Sequence, residues 1–155
     1  MGSPTQLIKV TDLHKVYRRG SVTFEALRGV SLDVAAGDYV VIMGHSGSGK
    51  STLLHLMGGL DSVTSGSVEV MGRCLETMNE TQLAKFRRKH IGFVFQFFNL
   101  IDNLNVQANV ELPALLADTR KGKARKRART SLAQLGIADQ AAKYPSEMSG
   151  GQQQR

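Results

Sequence analysis

Residues 44–51 read Gly-His-Ser-Gly-Ser-Gly-Lys-Ser, a complete G-x-x-x-x-G-K-[ST] loop. It follows a short apolar run, Tyr39-Val40-Val41-Ile42-Met43, and opens a run of helical texture, Thr52-Leu53-Leu54-His55-Leu56-Met57. That is the strand–loop–helix setting in which such a loop cradles phosphate. The glycines let the backbone curl so that successive N–H groups point inward at phosphate oxygens. The helix start adds its partial positive charge. Lys50 would reach the β- and γ-phosphates, and the Ser51 hydroxyl would ligand Mg²⁺. An ordinary Gly/Ser turn has no need of the Lys-Ser ending. The motif implies a site for a nucleoside triphosphate, or descent from one.

The first third of the chain reads as β. Leu7 to Tyr17 is a strand, Arg18-Arg19-Gly20-Ser21 a turn, and Thr23 to Leu27 the returning partner. Val30-Ser31-Leu32-Asp33-Val34 alternates apolar and polar, as a half-buried strand should. Gly58-Gly59 closes the helix after Lys50. Gly66 to Val70 and Ile91 to Phe95 are further strand candidates, and Asn79 to Lys89 is a helix candidate. Beyond Gln96 the texture changes. Phe97 to Ile101 is an apolar loop, and Asn103 to Asn109 has loop composition. Val110 to Leu116 and Lys123 to Leu135 read as helices, with Gly136 as a stop.

A length of 155 residues is that of one domain, or part of a larger one. A lone cysteine, Cys74, excludes an internal disulfide framework and fits a reducing compartment. No apolar run approaches the ~18–20 residues of a membrane span. Met1 to Thr5 lack a signal-peptide core, and Gln6 breaks the myristoylation pattern. The expectation is a cytoplasmic chain whose membrane role, if any, needs a partner. The net charge of +7 lies wholly within residues 120–129, which hold seven Lys/Arg and no acid. Such a run suits a solvated helix face, with attraction to an anionic membrane surface or acidic partner as the second reading. No DNA- or RNA-reading motif accompanies it, so no nucleic acid is expected.

A second motif stands far downstream: Met148-Ser149-Gly150-Gly151-Gln152. Ser149 sits where an N-cap belongs, and small residues at a helix start let N–H groups and a hydroxyl approach a phosphate. Alone this is a weak signal; paired with the phosphate loop it is strong. Together the two motifs resemble the nucleotide-binding subunits of ABC transporters, whose signature is Leu-Ser-Gly-Gly-Gln; here Met148 replaces the Leu. Gly59-Leu60-Asp61, Ser65-Gly66, His90 to Gln96 and Pro145-Ser146-Glu147 look like the bacterial branch that contains the lipoprotein-release and macrolide-export ATPases.

The resemblance implies an α/β P-loop NTPase fold of the ABC type, with an antiparallel β subdomain, a partial parallel core sheet around 39–43 and 91–95, and a helical signature subdomain. Residues 1–96 would form the nucleotide-binding part and 97–155 the helical part. Tyr17 would stack on adenine, or else pack on the core as a strand aromatic. Gly44, Ser46, Gly47, Ser48, Gly49, Lys50, Ser51 and Thr52 would hold the phosphates of ATP and the Mg²⁺. Gln96 would sit near Mg²⁺ and the attacking water. Phe97, Phe98 and Leu100 would face a membrane partner or pack inside the helical part. Ser149, Gly150, Gly151 and Gln152 would contact the γ-phosphate held by a second subunit in a head-to-tail dimer. A separate membrane permease would anchor the pair on the cytoplasmic face.

The family pattern continues beyond Arg155. Its apolar strand ending in a magnesium-binding Asp, the adjacent Glu and the switch His have no match here: no four-residue apolar run ends in Asp-Glu. The expectation is an incomplete domain that encodes phosphate binding but not hydrolysis. Hydrolysis by these residues alone would require another acid, such as Asp61, Glu111 or Glu147. A soluble ABC ATPase unconnected with transport is the alternative. A P-loop kinase or GTPase is disfavoured by Ser149-Gly150-Gly151-Gln152.

Overall fold

A long antiparallel hairpin organises the front of the chain in the computed structural model, which describes residues 6–155. The reading of Met1 to Thr5 lies outside them. Strand β1 (Gln6–Arg19) and strand β2 (Val22–Ala35) pair along their length, with Tyr17 opposite Phe24 and Ile8 opposite Val34. β2 is one strand where the sequence suggests two. The apparent break is Gly29, at φ +74°, where a Cβ would meet Asp12 Oδ1 at 2.9 Å. It lies in the stretch where the β1–β2 register slips at Val10 to His14, so the glycine absorbs a bulge rather than ending the strand. β1 also pairs with β3 (Ser65–Val70), and β3 with the short β4 (Arg73–Cys74), giving the sheet order β2-β1-β3-β4.

The chain divides into two compact units between Arg87 and Arg88. In the first, helix α1 (Lys50–Met57) buries Leu53 and Leu56 and contacts β1, β2 and β3, whose buried apolar residues are Val10, Leu13, Leu27, Val34, Val68 and Val70. Burying each such side chain is worth about 1.5–3 kcal/mol, so this face of the hairpin holds α1 in place. Helix α2 (Glu80–His90), which runs across the division, starts at a reciprocal cap: Gln82 N–H donates to Asn79 Oδ1 at 3.0 Å and Asn79 N–H to Gln82 Oε1 at 2.9 Å. Phe86 is buried beneath the Arg73 guanidinium.

In the second unit, helix α3 (Val106–Leu116) begins four residues before the helix expected at Val110. Its start is fixed by Asn105, whose Oδ1 accepts from Ala108 N–H at 2.9 Å. A residue of loop composition is here a helix cap. Helix α4 (Lys121–Gln134) buries Ala124, Ala128 and Leu132 along one stripe and exposes every Lys and Arg of the 120–129 run. Gly136, at φ +66°, follows it. Val106, Leu132, Ile137 and Met148 form the core of this unit.

One expectation is corrected. Residues 39–43 and 91–95 have strand composition but are not strands, and the described residues contain no parallel sheet. Tyr39 is 92% and Val94 91% exposed. A strand exists by pairing its N–H and C=O groups with a neighbour. Composition can specify such a segment but cannot supply the neighbour.

Candidate functional site

The 44–52 loop joins residues 39–43 to α1, and its glycines are needed for distinct reasons. Gly49 is the N-cap of α1 at φ +89°. A Cβ there would meet the Ala26 carbonyl oxygen at 2.6 Å and Leu27 Cδ2 at 2.8 Å, so both its conformation and the approach of β2 exclude a side chain. A Cβ on Gly44 would meet Ser48 Oγ at 2.6 Å, filling the inside of the curl.

No side chain caps α1. The first four amides of a helix have no acceptor within it; in α1 the ladder begins with Leu53 N–H donating to Gly49 C=O at 2.8 Å. Lys50 Nζ folds over the same loop, donating to the carbonyls of Gly44 at 3.0 Å and His45 at 2.7 Å and to Ser48 Oγ at 3.4 Å. Ser46, Gly47, Ser48 and Ser51 are exposed, and Thr52 is half-buried. The loop therefore gathers a cation, three serine hydroxyls and a helix start, with no room for a Cβ at Gly44 or Gly49. Those are the donors a polyphosphate requires.

Tyr17 stands near the end of β1, 40% exposed, rather than packed in the core. Its hydroxyl donates to Asp61 Oδ2 at 2.8 Å, which ties it to the segment just beyond the end of α1. Asp61 Oδ1 accepts from Lys15 Nζ at 2.7 Å. Lys15 is 7% exposed, donates to the Ser62 carbonyl at 2.6 Å and lies 4.8 Å from the Tyr17 ring centroid. Burial pushes the Asp61 carboxyl up, but the bonds from Lys15, Tyr17 and Ser62 N–H and the lysine charge outweigh it and hold the group below the usual carboxylate range. Burial raises the Tyr17 phenol and the Asp61 bond and charge raise it further, against a lowering bond from Thr52. Sequence reasoning gave Lys15 no role and named Asp61 only within a motif and as a spare acid. The available signal was the i, i+2 spacing of Lys15 and Tyr17, which puts both on one strand face.

The second unit holds the remaining residues. Gln96 is exposed at the head of the loop that leads to α3. Phe97 is exposed; Phe98 and Leu100 are half-buried, with Leu100 facing Val106, Leu132 and Met148 across a cavity of about 220 Å³. Ser149 caps the short helix α5 (Gly150–Gln154) in a reciprocal box: Gln152 N–H donates to Ser149 Oγ at 3.3 Å and Ser149 N–H to Gln152 Oε1 at 2.9 Å. Gly150 and Gly151 are exposed, and Met148 anchors the motif in the core. The spare acids are all engaged: Asp61 as above, Glu111 with Gln107 at 2.6 Å, and Glu147 with Tyr144 N–H at 2.7 Å. Among the described residues no group of three or more His, Cys, Asp and Glu is placed to hold a metal, and no helix is long and apolar enough to cross a membrane.

The sequence model of the ABC transporter family matches residues 27–155. The macrolide export ATP-binding/permease protein MacB of Shigella sonnei (strain Ss046) is 43% identical over 151 residues, covering 97% of this chain and 23% of that protein. The figures are the same for MacB of Escherichia coli (strain K12). The chain thus spans less than a quarter of the length of these relatives. The ATP-binding cassette MJ0796, solved as a dimer in a post-hydrolysis state bound to ADP and Pi, matches with a TM-score of 0.88 at 39% identity, over 95% of this chain and 65% of that one. Another dimeric structure of MJ0796, described as a bacterial ABC transporter cassette, matches at 0.86 and 38% identity. A glycine-rich loop ending in Lys-Ser at the start of α1, a family match across most of the chain and a shared cassette fold lead to one conclusion: the chain belongs to the ABC transporter family and has the fold of its nucleotide-binding domain.

Proposed function

We propose that this chain binds ATP on the 44–52 loop and works as the ATP-binding part of a transporter whose membrane component is a permease. The observation that carries the reading is the local build of the loop. Gly49 holds a left-handed turn where β2 leaves no space, α1 begins without a side-chain cap, and Lys50 Nζ sits over the loop carbonyls. Lys50 would exchange those carbonyls for phosphate oxygens, a charge-assisted and therefore stronger bond. The loop serines and the amides of the first turn would hold the remaining oxygens. Ser51 would hold Mg²⁺, which neutralises phosphate charge when bound. Tyr17 would take the adenine ring on its exposed side.

Ser149, Gly150, Gly151 and Gln152 would contact the nucleotide of a second copy in a head-to-tail dimer. MJ0796 has been solved as a dimer, and MacB is an ATP-binding/permease protein, which supports both partners. The working position is the cytoplasmic face of a membrane, reached through the permease. Calorimetry with ATP tests the binding reading: Lys50→Ala is expected to weaken affinity at least about tenfold, and equal binding by variant and parent overturns it. Co-purification with a permease separates transport from a soluble ABC ATPase.

A further inference from the structure

Lys15 and Tyr17 leave the same face of β1, and Asp61, beyond the end of α1, meets both of them. Its two oxygens are used separately, Oδ1 for the ammonium at 2.7 Å and Oδ2 for the phenol at 2.8 Å. A buried lysine requires a counter-charge, and removing one partner of such a pair is costly. Lys15 is therefore a fixed post against which the carboxylate is held. The carboxylate in turn fixes the phenol, while the ammonium beside the ring restricts it further. Tyr17 is nonetheless 40% exposed. Exposed aromatic rings keep rotational freedom that a ligand must freeze on binding, which weakens the complex. Here that freedom is reduced in advance, on an aromatic residue joined by its hydroxyl to Asp61 just beyond the end of the phosphate-loop helix.

We infer that Asp61, braced by Lys15, is a positioning residue for the Tyr17 ring: it sets the ring's orientation to α1, and so its stacking on a nucleobase whose phosphates lie on the 44–52 loop. The inference rests on the reading of Tyr17 as the base platform given above. The alternative is an ion pair that only ties the segment after α1 to the sheet. The two differ in what they predict for a ligand with no base.

The test is calorimetry on the full chain with two ligands, ATP and inorganic tripolyphosphate. Tyr17→Ala examines the platform itself: a loss of ATP affinity with unchanged tripolyphosphate affinity supports it, and no loss removes the platform and this inference together. Given the platform, Asp61→Asn keeps the shape and an acceptor for Lys15 while weakening the bond to the phenol. Tyr17→Phe keeps the ring and deletes the same bond from the other side. Each is expected to weaken ATP about fivefold, about the net worth of one hydrogen bond, and to leave tripolyphosphate within about twofold. The double variant should be no weaker than either single one, because both delete one interaction. Equal losses for both ligands, no loss for either, or additive losses in the double variant overturn the inference while leaving the platform standing. If Asp61→Asn fails to fold, Tyr17→Phe decides by the same split.

Discussion

Two helices in this chain begin at serine and glycine, and they begin in opposite ways. At α1 the N-cap is a left-handed glycine and no side chain caps the first turn. At α5 the N-cap is an extended serine whose hydroxyl and amide are both engaged by Gln152. The first start is held in shape by its surroundings, with β2 pressing on Gly49 and Lys50 bridging the loop. The second is held by itself. Similar composition therefore encodes a donor array shaped from outside in one place and a self-satisfied cap in the other. At the first the side chain of Lys50 is the one bridging element, whereas at the second the Ser149 hydroxyl and amide are both already engaged.

The largest effect that sharpens this contrast is expected from alanine scanning of the glycines. Gly49→Ala places a side chain at φ +89° and drives its Cβ into Ala26 and Leu27. It should cost about 2–3 kcal/mol of stability by urea denaturation. Gly151→Ala faces open space within a helix and should be neutral or stabilising by up to about 1 kcal/mol. Similar shifts for both would break the comparison.

Next comes the self-made cap. Ser149→Ala should destabilise by about 1 kcal/mol, and Ser149→Asp should largely restore the loss, since Asp is as good an N-cap. The two melting temperatures decide, and an unaffected Ser149→Ala variant would mean the box contributes nothing.

A smaller effect separates the regions by pH. Asp61 is held below its ordinary range, so its contribution is fully present above the unfolded carboxylate value and is lost as pH falls through the lower folded value. Stability measured between about pH 5 and pH 2 should fall more steeply in the parent than in Asp61→Asn. The Ser149–Gln152 box has no ionisable group and should show no such dependence. The smallest effect is expected at the other cationic helix. Replacing the seven Lys/Arg of 120–129 by Gln should leave ATP affinity within about twofold, because exposed charges are screened over ~8–10 Å. A large loss would mean that cations other than Lys50 hold the nucleotide.

What was legible in the sequence was local. The phosphate loop, α1, α2, α4 and the capped signature turn each announce themselves within a few residues. Asn105 escaped because one capping side chain outweighs several residues of loop composition. The single strand β2 escaped because Gly29 looks like an end until the bulge opposite it is known. The segments 39–43 and 91–95 misled for the converse reason, since their apolar character says what they would pair with but not whether a neighbour is there. Of the Lys15–Tyr17–Asp61 cluster only the i, i+2 spacing on β1 was legible, because Asp61 lies far away in the chain and nothing near it points back to β1.

The unpaired run before the phosphate loop has a consequence for how that loop is held. On its far side the loop passes into α1, whose amides bond in a ladder from Leu53 onward and whose Leu53 and Leu56 are buried. On its near side residues 39–43 have no sheet ladder, and Tyr39, Val40, Val41 and Met43 are exposed. Amide hydrogen exchange follows such differences in local opening. Deuterium should enter residues 39–44 early and residues 53–57 late, so that the protection boundary falls inside the 44–52 loop itself.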